Sequence, residues 1–246
     1  MVPKLRAVGL EKSFGHVQAL RGVDVEIDAG EIVGLVGDNG AGKSTFVKCV
    51  SGVYQPDRGQ IEIEGKEIEL NSPLDGRSNG IESVYQDLSL SPDISVSYNV
   101  YLGREIFKTG LLGKLGFMDS RQMSKKADDY IREVGIRLPT VEIPVEQLSG
   151  GQRQAVAIAR ARAWASKILL LDEPTAALGV RQTEIVLNII SSCKKQNMAV
   201  LVISHDIPSI LRITDRIIVL RLGKVVANFQ TKEVKQADVV SAIVGK

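Results

Sequence analysis

The feature that most constrains the fold is a glycine-rich segment, residues 37–45, directly after a short apolar run. Its sequence, GDNGAGKST, fits the pattern G-x-x-x-x-G-K-[ST], and the run before it, Ile32–Val36, has the composition of a buried central strand. In this pattern the strand leads into a turn whose backbone N–H groups and following helix N-terminus hold phosphate oxygens. A glycine turn with an incidental lysine is the alternative, but the preceding strand and the helix start at Lys43 favour a phosphate loop. The sequence therefore predicts an α/β protein that binds a phosphorylated ligand.

Each residue of this loop is a candidate for contacting the ligand. The glycines let the backbone wrap around phosphates, Lys43 reaches the β and γ phosphates, and Ser44 is a candidate Mg²⁺ ligand. The predicted nucleotide-binding residues here are Gly37, Asp38, Asn39, Gly40, Ala41, Gly42, Lys43, Ser44 and Thr45.

A second apolar run, Ile168–Leu171, ends in two neighbouring acids, Asp172 and Glu173. We expect Asp172 to hold the magnesium that accompanies a bound triphosphate. Glu173 is a candidate general base, because a carboxylate beside the metal could take a proton from an attacking water. Two acids at a strand end are otherwise common as solvated residues. With the phosphate loop in the same chain, the catalytic interpretation is favoured.

A third motif, Leu-Ser-Gly-Gly-Gln at 148–152, precedes a helical run, Arg153–Ala165. Ser149 is suited to cap this helix, and its N-terminus could bind an anion. A capped turn without a ligand is the alternative.

The order of these motifs resembles that of the ATP-binding cassette (ABC) family of ATPases, and the likeness extends over essentially the whole chain. The resemblance implies that Phe14 stacks on adenine, that Gln86 touches Mg²⁺ and reports to a permease, and that His205 contacts the γ-phosphate. Taken alone, Phe14 could belong to the core, Gln86 could be a loop amide, and His205 could neighbour a helix cap. His16 fits a surface loop.

The resemblance implies one ABC ATP-binding domain, residues 1–246, with the fold of a P-loop nucleoside triphosphatase. Residues 1–94 and 166–246 would form a core with an antiparallel β subdomain, and residues 95–165 a helical signature subdomain. The sequence agrees in outline: strands are predicted at Lys4–Val8, Val23–Ile27 and Ile81–Tyr85, and again after 165, for example at Ala199–Ile203. A possible cap at Asp119 is followed by apolar residues at helical spacing: Met123, Ala127, Tyr130, Ile131 and Val134. Glycines 110, 113 and 116 favour a flexible loop, and residues 234–244 an amphipathic helix.

The family also implies that Ser149, Gly151 and Gln152 bind ATP held by a second copy of the chain, so that two copies enclose two nucleotides. One departure concerns the loop after Glu173. The common pattern ends there in Leu-Asp, but here Leu178 is followed by Gly179. The carboxylate that would couple the two sites is missing, so the motif does not determine how tightly the two sites cooperate.

Several stretches, including SGVYQPDRGQIEIEGK and DEPTAALGV, are similar to the ATPase subunits of bacterial simple-sugar importers of the ribose, xylose and fructose kind. That resemblance implies a homodimer on the cytoplasmic face of the inner membrane, bound to a separate permease. An extracytoplasmic sugar-binding protein would deliver the sugar to this permease. ATP and Mg²⁺ are the implied cofactors. The alternatives are an ABC ATPase for another solute, a soluble ABC ATPase acting on ribosomes or DNA, and an inactive nucleotide-binding module.

Composition limits these alternatives. With 44% hydrophobic residues the chain can bury a core, and with a net charge of +2 and 4% aromatic residues it lacks the features of a nucleic-acid binder. No apolar run approaches the roughly 18 residues that span a bilayer, and the N-terminus lacks the apolar core of a signal peptide. Cys49 and Cys193 have no metal-ligand spacing and are expected to be reduced thiols. The stretch from Gln86 to about Phe117 is rich in apolar residues, and it is a candidate permease contact. The alternative is that it only packs the helical subdomain.

Overall fold

The computed structural model describes residues 2–176 and 178–245 of the chain and contains two sheets flanked by helices. The strands are β1 (Leu5–Phe14), β2 (Val17–Ile27), β3 (Ile32–Val36), β4 (Arg58–Ile63), β5 (Lys66–Ile68), β6 (Ile81–Val84), β7 (Ile168–Asp172), β8 (Ala199–Ile203), β9 (Arg216–Arg221) and β10 (Lys224–Gln230). The helices are α1 (Lys43–Val50), α2 (Pro73–Ser78), α3 (Val96–Tyr101), α4 (Leu111–Lys114), α5 (Ser120–Glu133), α6 (Gly150–Trp164), α7 (Val180–Ser192), α8 (Ile207–Ile213) and α9 (Gln236–Val244).

The larger sheet has six strands in the order β10-β9-β3-β8-β7-β6. The pairs β9-β3, β3-β8, β8-β7 and β7-β6 are parallel, and only the edge strand β10 runs antiparallel. Every residue of β3, β7 and β8 is buried. Strands covered on both faces need continuous apolar sequence, which is why these runs do not alternate.

The smaller sheet has four antiparallel strands in the order β2-β1-β4-β5. Its inner face packs on α1 and on one face of the larger sheet, so that Leu5, Leu20 and Phe46 share a core with Ile168 and Leu201. The strands predicted at Lys4–Val8 and Val23–Ile27 are therefore confirmed, but they are parts of longer strands, β1 and β2. The P-loop α/β fold with an antiparallel β part is confirmed.

A helical region lies between β6 and β7. The buried side chains of Met123, Ala127 and Ile131 pack α5 against neighbouring helices, as their spacing predicts. Asp119 caps α5, because its side chain accepts a hydrogen bond from Gln122 N at 3.0 Å. Trp164, at the end of α6, stacks edge-on against Tyr101 with the ring centroids 5.4 Å apart.

One secondary-structure prediction was wrong. Residues 110–116 are not a glycine-rich flexible loop throughout, because Gly113 lies in the single turn of α4, between Leu111 and Lys114. An added Cβ on Gly113 would overlap with Lys108 O, so this glycine permits a close backbone contact. The strand predicted at Ile81–Tyr85 ends one residue earlier, and α9 begins at Gln236 instead of Val234. In the described parts of the chain, no helix has the length and apolar character required to cross a membrane.

Candidate functional site

The loop between β3 and α1 has a backbone that only glycine permits at two positions. A Cβ on Gly37 would overlap with Leu220 O, and a Cβ on Gly42 would lie 2.5 Å from Ala19 O. Gly42 also has φ of 106°, which residues with side chains rarely adopt. The neighbouring chain segments therefore pack tightly around the loop, and its backbone is left open toward the cavity, as a phosphate cradle requires.

Lys43 begins α1, and its side chain folds back over the loop. Its Nζ donates hydrogen bonds to Gly37 O and Asp38 O, both at 2.8 Å. Burial lowers the pKa of Lys43, although the nearby carboxylates of Glu173, Asp172 and Asp38 act in the opposite direction. A partly desolvated ammonium group beside open backbone N–H groups is arranged to receive anionic oxygens.

The two acids lie at the same sheet edge as the phosphate loop. Asp172 is the buried last residue of β7 and pairs with Ile203 of the adjacent β8. Glu173 follows with φ of 54°, in the left-handed region, and its N–H donates to Ile203 O at 3.0 Å. Because β3, β8 and β7 are parallel neighbours, their carboxyl ends bring the loop and both acids together.

His205 lies beside Glu173. Its Nδ1 is 2.8 Å from Glu173 Oε2, with the histidine side chain 75% exposed and the glutamate side chain 17% exposed. That oxygen is buried and accepts no hydrogen bond of good geometry. A buried carboxylate oxygen without a donor is costly unless another group approaches it. Glu173 Oε2 thus lacks a well-aligned hydrogen-bond donor, and the imidazole of His205 lies directly beside it.

One cavity of about 850 Å³ unites most of the predicted residues. Its lining includes residues 37–45, together with Gln86, Asp172, Glu173 and His205. The described residues contain no group of three or more His, Cys, Asp or Glu that could hold a metal unaided. A Mg²⁺ ion held by Ser44, Gln86 and Asp172 would therefore need oxygens from a ligand to complete its shell.

Phe14 does not line this cavity. Its ring packs edge-on against Tyr54, with centroids 5.2 Å apart, and Lys12 Nζ lies 5.8 Å from the ring centroid. Residues of β2 line it instead, namely Gln18, Ala19, Arg21 and, three positions after Phe14, Val17. Val17 is an exposed apolar residue at the start of β2, and the sequence analysis did not assign it to the site.

The signature residues lie elsewhere, at the start of α6. Ser149 and Gln152 form a reciprocal cap: Gln152 N donates to Ser149 Oγ at 3.3 Å, and Ser149 N donates to Gln152 Oε1 at 3.0 Å. Ser149 is thus confirmed as the N-cap. With Gly151 these residues line a second cavity of about 620 Å³. Its lining also includes three charged or amide side chains that the sequence analysis did not assign: Arg137, Arg181 and Gln182.

The sequence profile of the ABC transporter family matches residues 20–176. The chain belongs to the ABC transporter family. It is therefore a nucleotide-binding ATPase, and the matched range contains the phosphate loop, the signature motif and both acids.

Several curated relatives are similar over nearly the whole chain. The fructose import ATP-binding protein FrcA of Rhizobium meliloti is 43% identical, across 99% of this chain and 94% of FrcA. The xylose/arabinose import ATP-binding protein XylG of Sulfolobus acidocaldarius is 46% identical, across 95% of this chain and 91% of XylG. The ribose import ATP-binding protein RbsA 2 of Rubrobacter xylanophilus is 39% identical across 100% of this chain, which spans only 46% of RbsA 2.

Solved structures agree with the fold. The ATP-binding cassette MJ0796, as a dimer in a post-hydrolysis state bound to ADP and Pi, superposes with a TM-score of 0.79 and 27% identity, covering 94% of this chain and 100% of that one. CbiO1 of Clostridium perfringens is part of the ABC transporter complex cbiONQ. It superposes with a TM-score of 0.80 and 27% identity, covering 100% of this chain and 95% of CbiO1.

Proposed function

We propose that this chain is the ATP-binding and ATP-hydrolysing subunit of an importer for a simple sugar and that it works with a separate permease. The observation that carries the proposal is the 850 Å³ cavity, in which Lys43, Asp172, Glu173 and His205 converge. The sugar as substrate is supported by the similarity to fructose, xylose/arabinose and ribose import proteins. None of the residues in the cavity suggests a contact with sugar.

The phosphate loop and Lys43 account for ATP binding. Backbone N–H groups of the loop and the N-terminus of α1 face the phosphates, and the Lys43 ammonium exchanges its two carbonyl acceptors for β and γ phosphate oxygens. Ser44, Gln86 and Asp172 would hold Mg²⁺, and these hydroxyl, amide and carboxylate oxygens are the ligands the ion prefers. Bound Mg²⁺ supplies positive charge that offsets the charge developing on the transferred phosphoryl group.

Glu173 and His205 account for hydrolysis. The free Oε2 of Glu173 can accept a proton from a water molecule placed for attack on the γ-phosphate. The imidazole of His205 is exposed at the cavity and can leave Glu173 to donate a hydrogen bond to the γ-phosphate. Lys43 and the loop hold the remaining phosphates, so both residues act on a substrate in fixed position.

Two copies of the chain would complete the site. Ser149, Gly151 and Gln152 face a cavity separate from the phosphate loop, at the N-terminus of the 15-residue helix α6. This anion-binding end would meet the ATP bound by the second copy, with each copy contributing to both sites. Phe14 stays a proposed adenine contact; its exposed ring could turn from Tyr54 toward the base.

The permease would dock on the segment from Gln86 to Phe117. Its first half mostly packs inside the helical region, where Val96, Val100 and Tyr101 are buried. The exposed apolar side chains are concentrated in residues 102–118, which we call the apolar segment: Leu102, Phe107, Leu111, Leu112, Leu115, Phe117 and Met118. Such a concentration is typical of a docking surface. The chain would thus sit peripherally on the cytoplasmic face of the membrane, and an extracytoplasmic binding protein would deliver the sugar.

The test is ATP hydrolysis by the complex of this chain with its permease and binding protein, reconstituted in vesicles and supplied with a panel of sugars. One simple sugar should stimulate hydrolysis and be taken up into the vesicles. A complex carrying Glu173→Gln should show neither stimulated hydrolysis nor uptake of that sugar. Stimulation by an amino acid or a metal ion, with no response to any sugar, would contradict the proposed substrate class. Hydrolysis that is undiminished in the variant complex would contradict the assigned mechanism.

A further inference from the structure

Gln182 occupies a position between two functional segments. It is the third residue of α7, the helix that begins at Val180 directly after the loop leading from Glu173. Helices α6 and α7 pack side by side, and Gln182 lines the cavity of the signature residues. Neither the motifs nor the proposed mechanism assigns it a part.

On one side, Gln182 packs against the signature motif. A Cβ on Gly151 would overlap with Gln182 Cγ and would lie 2.9 Å from Gln182 Cβ. Gly151 lies in α6 with ordinary helical φ, so its backbone conformation does not require glycine. The missing side chain at this position makes room for the stem of Gln182.

On the other side, the same side chain reaches the loop from Glu173. A Cβ on Gly179 would lie 2.9 Å from Gln182 Oε1, although φ of −73° at Gly179 is open to any residue. Gly179 caps α7 without a side chain, and its carbonyl accepts from Thr183 N at 3.0 Å. An aspartate at 179, as in the common motif, would take the space that the Gln182 amide occupies.

We propose that Gln182 is a positioning residue that joins the signature motif to the loop carrying Glu173. The inference rests on the proposed function, since the joined segments serve ATP hydrolysis there. When a second copy places its nucleotide against Ser149 and Gly151, any shift of α6 is passed by the packed stem of Gln182 to Gly179 and so to the Glu173 loop.

The first experiment compares Gln182→Ala with Asn188→Ala in the full chain. Both variants remove an amide from α7, but Asn188 is exposed and lies away from the signature cavity. Gln182→Ala should lower turnover at saturating ATP on the order of tenfold and leave the Kd for ATP and the Tm near wild type, because a positioning role affects the catalytic step. Asn188→Ala should change none of the three quantities.

The second experiment uses the space shared by Gly179 and Gln182. Gly179→Asp should lower turnover in the wild-type background by displacing Gln182, yet cause little further loss in Gln182→Ala, since the displaced contact is already absent. Undiminished turnover in Gln182→Ala, or an equal effect of Gly179→Asp in both backgrounds, would overturn the inference. A wild-type complex that hydrolyses no ATP would instead overturn the proposed function.

Discussion

Glu173 combines a left-handed backbone, a buried oxygen without a hydrogen-bond donor and a histidine at 2.8 Å. A residue with a side chain rarely adopts φ of 54°, and such positions are held by the surrounding structure. Here the N–H bond to Ile203 O and the end of β7 hold the carboxylate over the cavity. The conformation directs the side chain to the place where the γ-phosphate is proposed to lie.

Glu173→Gln should keep ATP binding and lose turnover by a factor on the order of 10²–10⁴, the usual contribution of a positioned base. The amide is of equal size but cannot accept the proton. Glu184→Gln is the matched control, because Glu184 does not line the cavity. Its Oε1 instead pairs with Arg212 Nη1 at 2.7 Å. Steady-state phosphate release and ATP titration measure the two effects. Near wild-type turnover in Glu173→Gln would remove the residue from the mechanism.

At the residue scale, contiguous motifs were predictable and contacts between distant segments were not. The loop residues 37–45 and the pair Asp172 and Glu173 follow strands, so their meeting at one sheet edge follows from the parallel order. Phe14 was assigned to the nucleotide by resemblance, but the structure packs it on Tyr54. Gln182 carries no motif, and its contacts with Gly151 and Gly179 arise only when α6 packs on α7.

At the scale of elements, strands with a strong local signal were predictable and short elements were not. The buried runs at β3, β7 and β8 were found because their apolar composition is continuous. Strand β10 was missed although its residues alternate between exposed and half-buried positions. The single turn α4 was taken for part of a loop because glycines surround it, and tertiary contacts decide such short segments.

The apolar segment, residues 102–118, gives a prediction at this scale. Leu111 and Leu115 are 72% and 65% exposed and lie in or next to α4. The double variant Leu111→Glu/Leu115→Glu should retain ATP binding but fail to co-purify with the permease, because charge on both leucines opposes burial in an interface. Leu74→Glu is the control, since Leu74 is 69% exposed on α2. A double variant that still co-purifies and still responds to sugar would place the docking surface elsewhere.

For the whole molecule, the two cavities are separate in one chain, and each holds half of the proposed catalytic site. Residues 37–45 and Glu173 line one cavity, whereas Ser149 and Gly151 line the other. The similarity to the dimeric cassette MJ0796 covers 94% of this chain. A twofold pair would bring the halves together, and we propose this arrangement for the chain.

Complementation between two inactive variants tests that claim most directly. Lys43→Ala should not bind ATP, and Ser149→Arg should bind ATP but obstruct the neighbouring site, so each alone should be inactive. A 1:1 mixture, with heterodimers verified by two affinity tags, should recover about a quarter of wild-type turnover, since half of the dimers carry one intact site of two. Verified heterodimers without any hydrolysis would contradict a site shared between two copies.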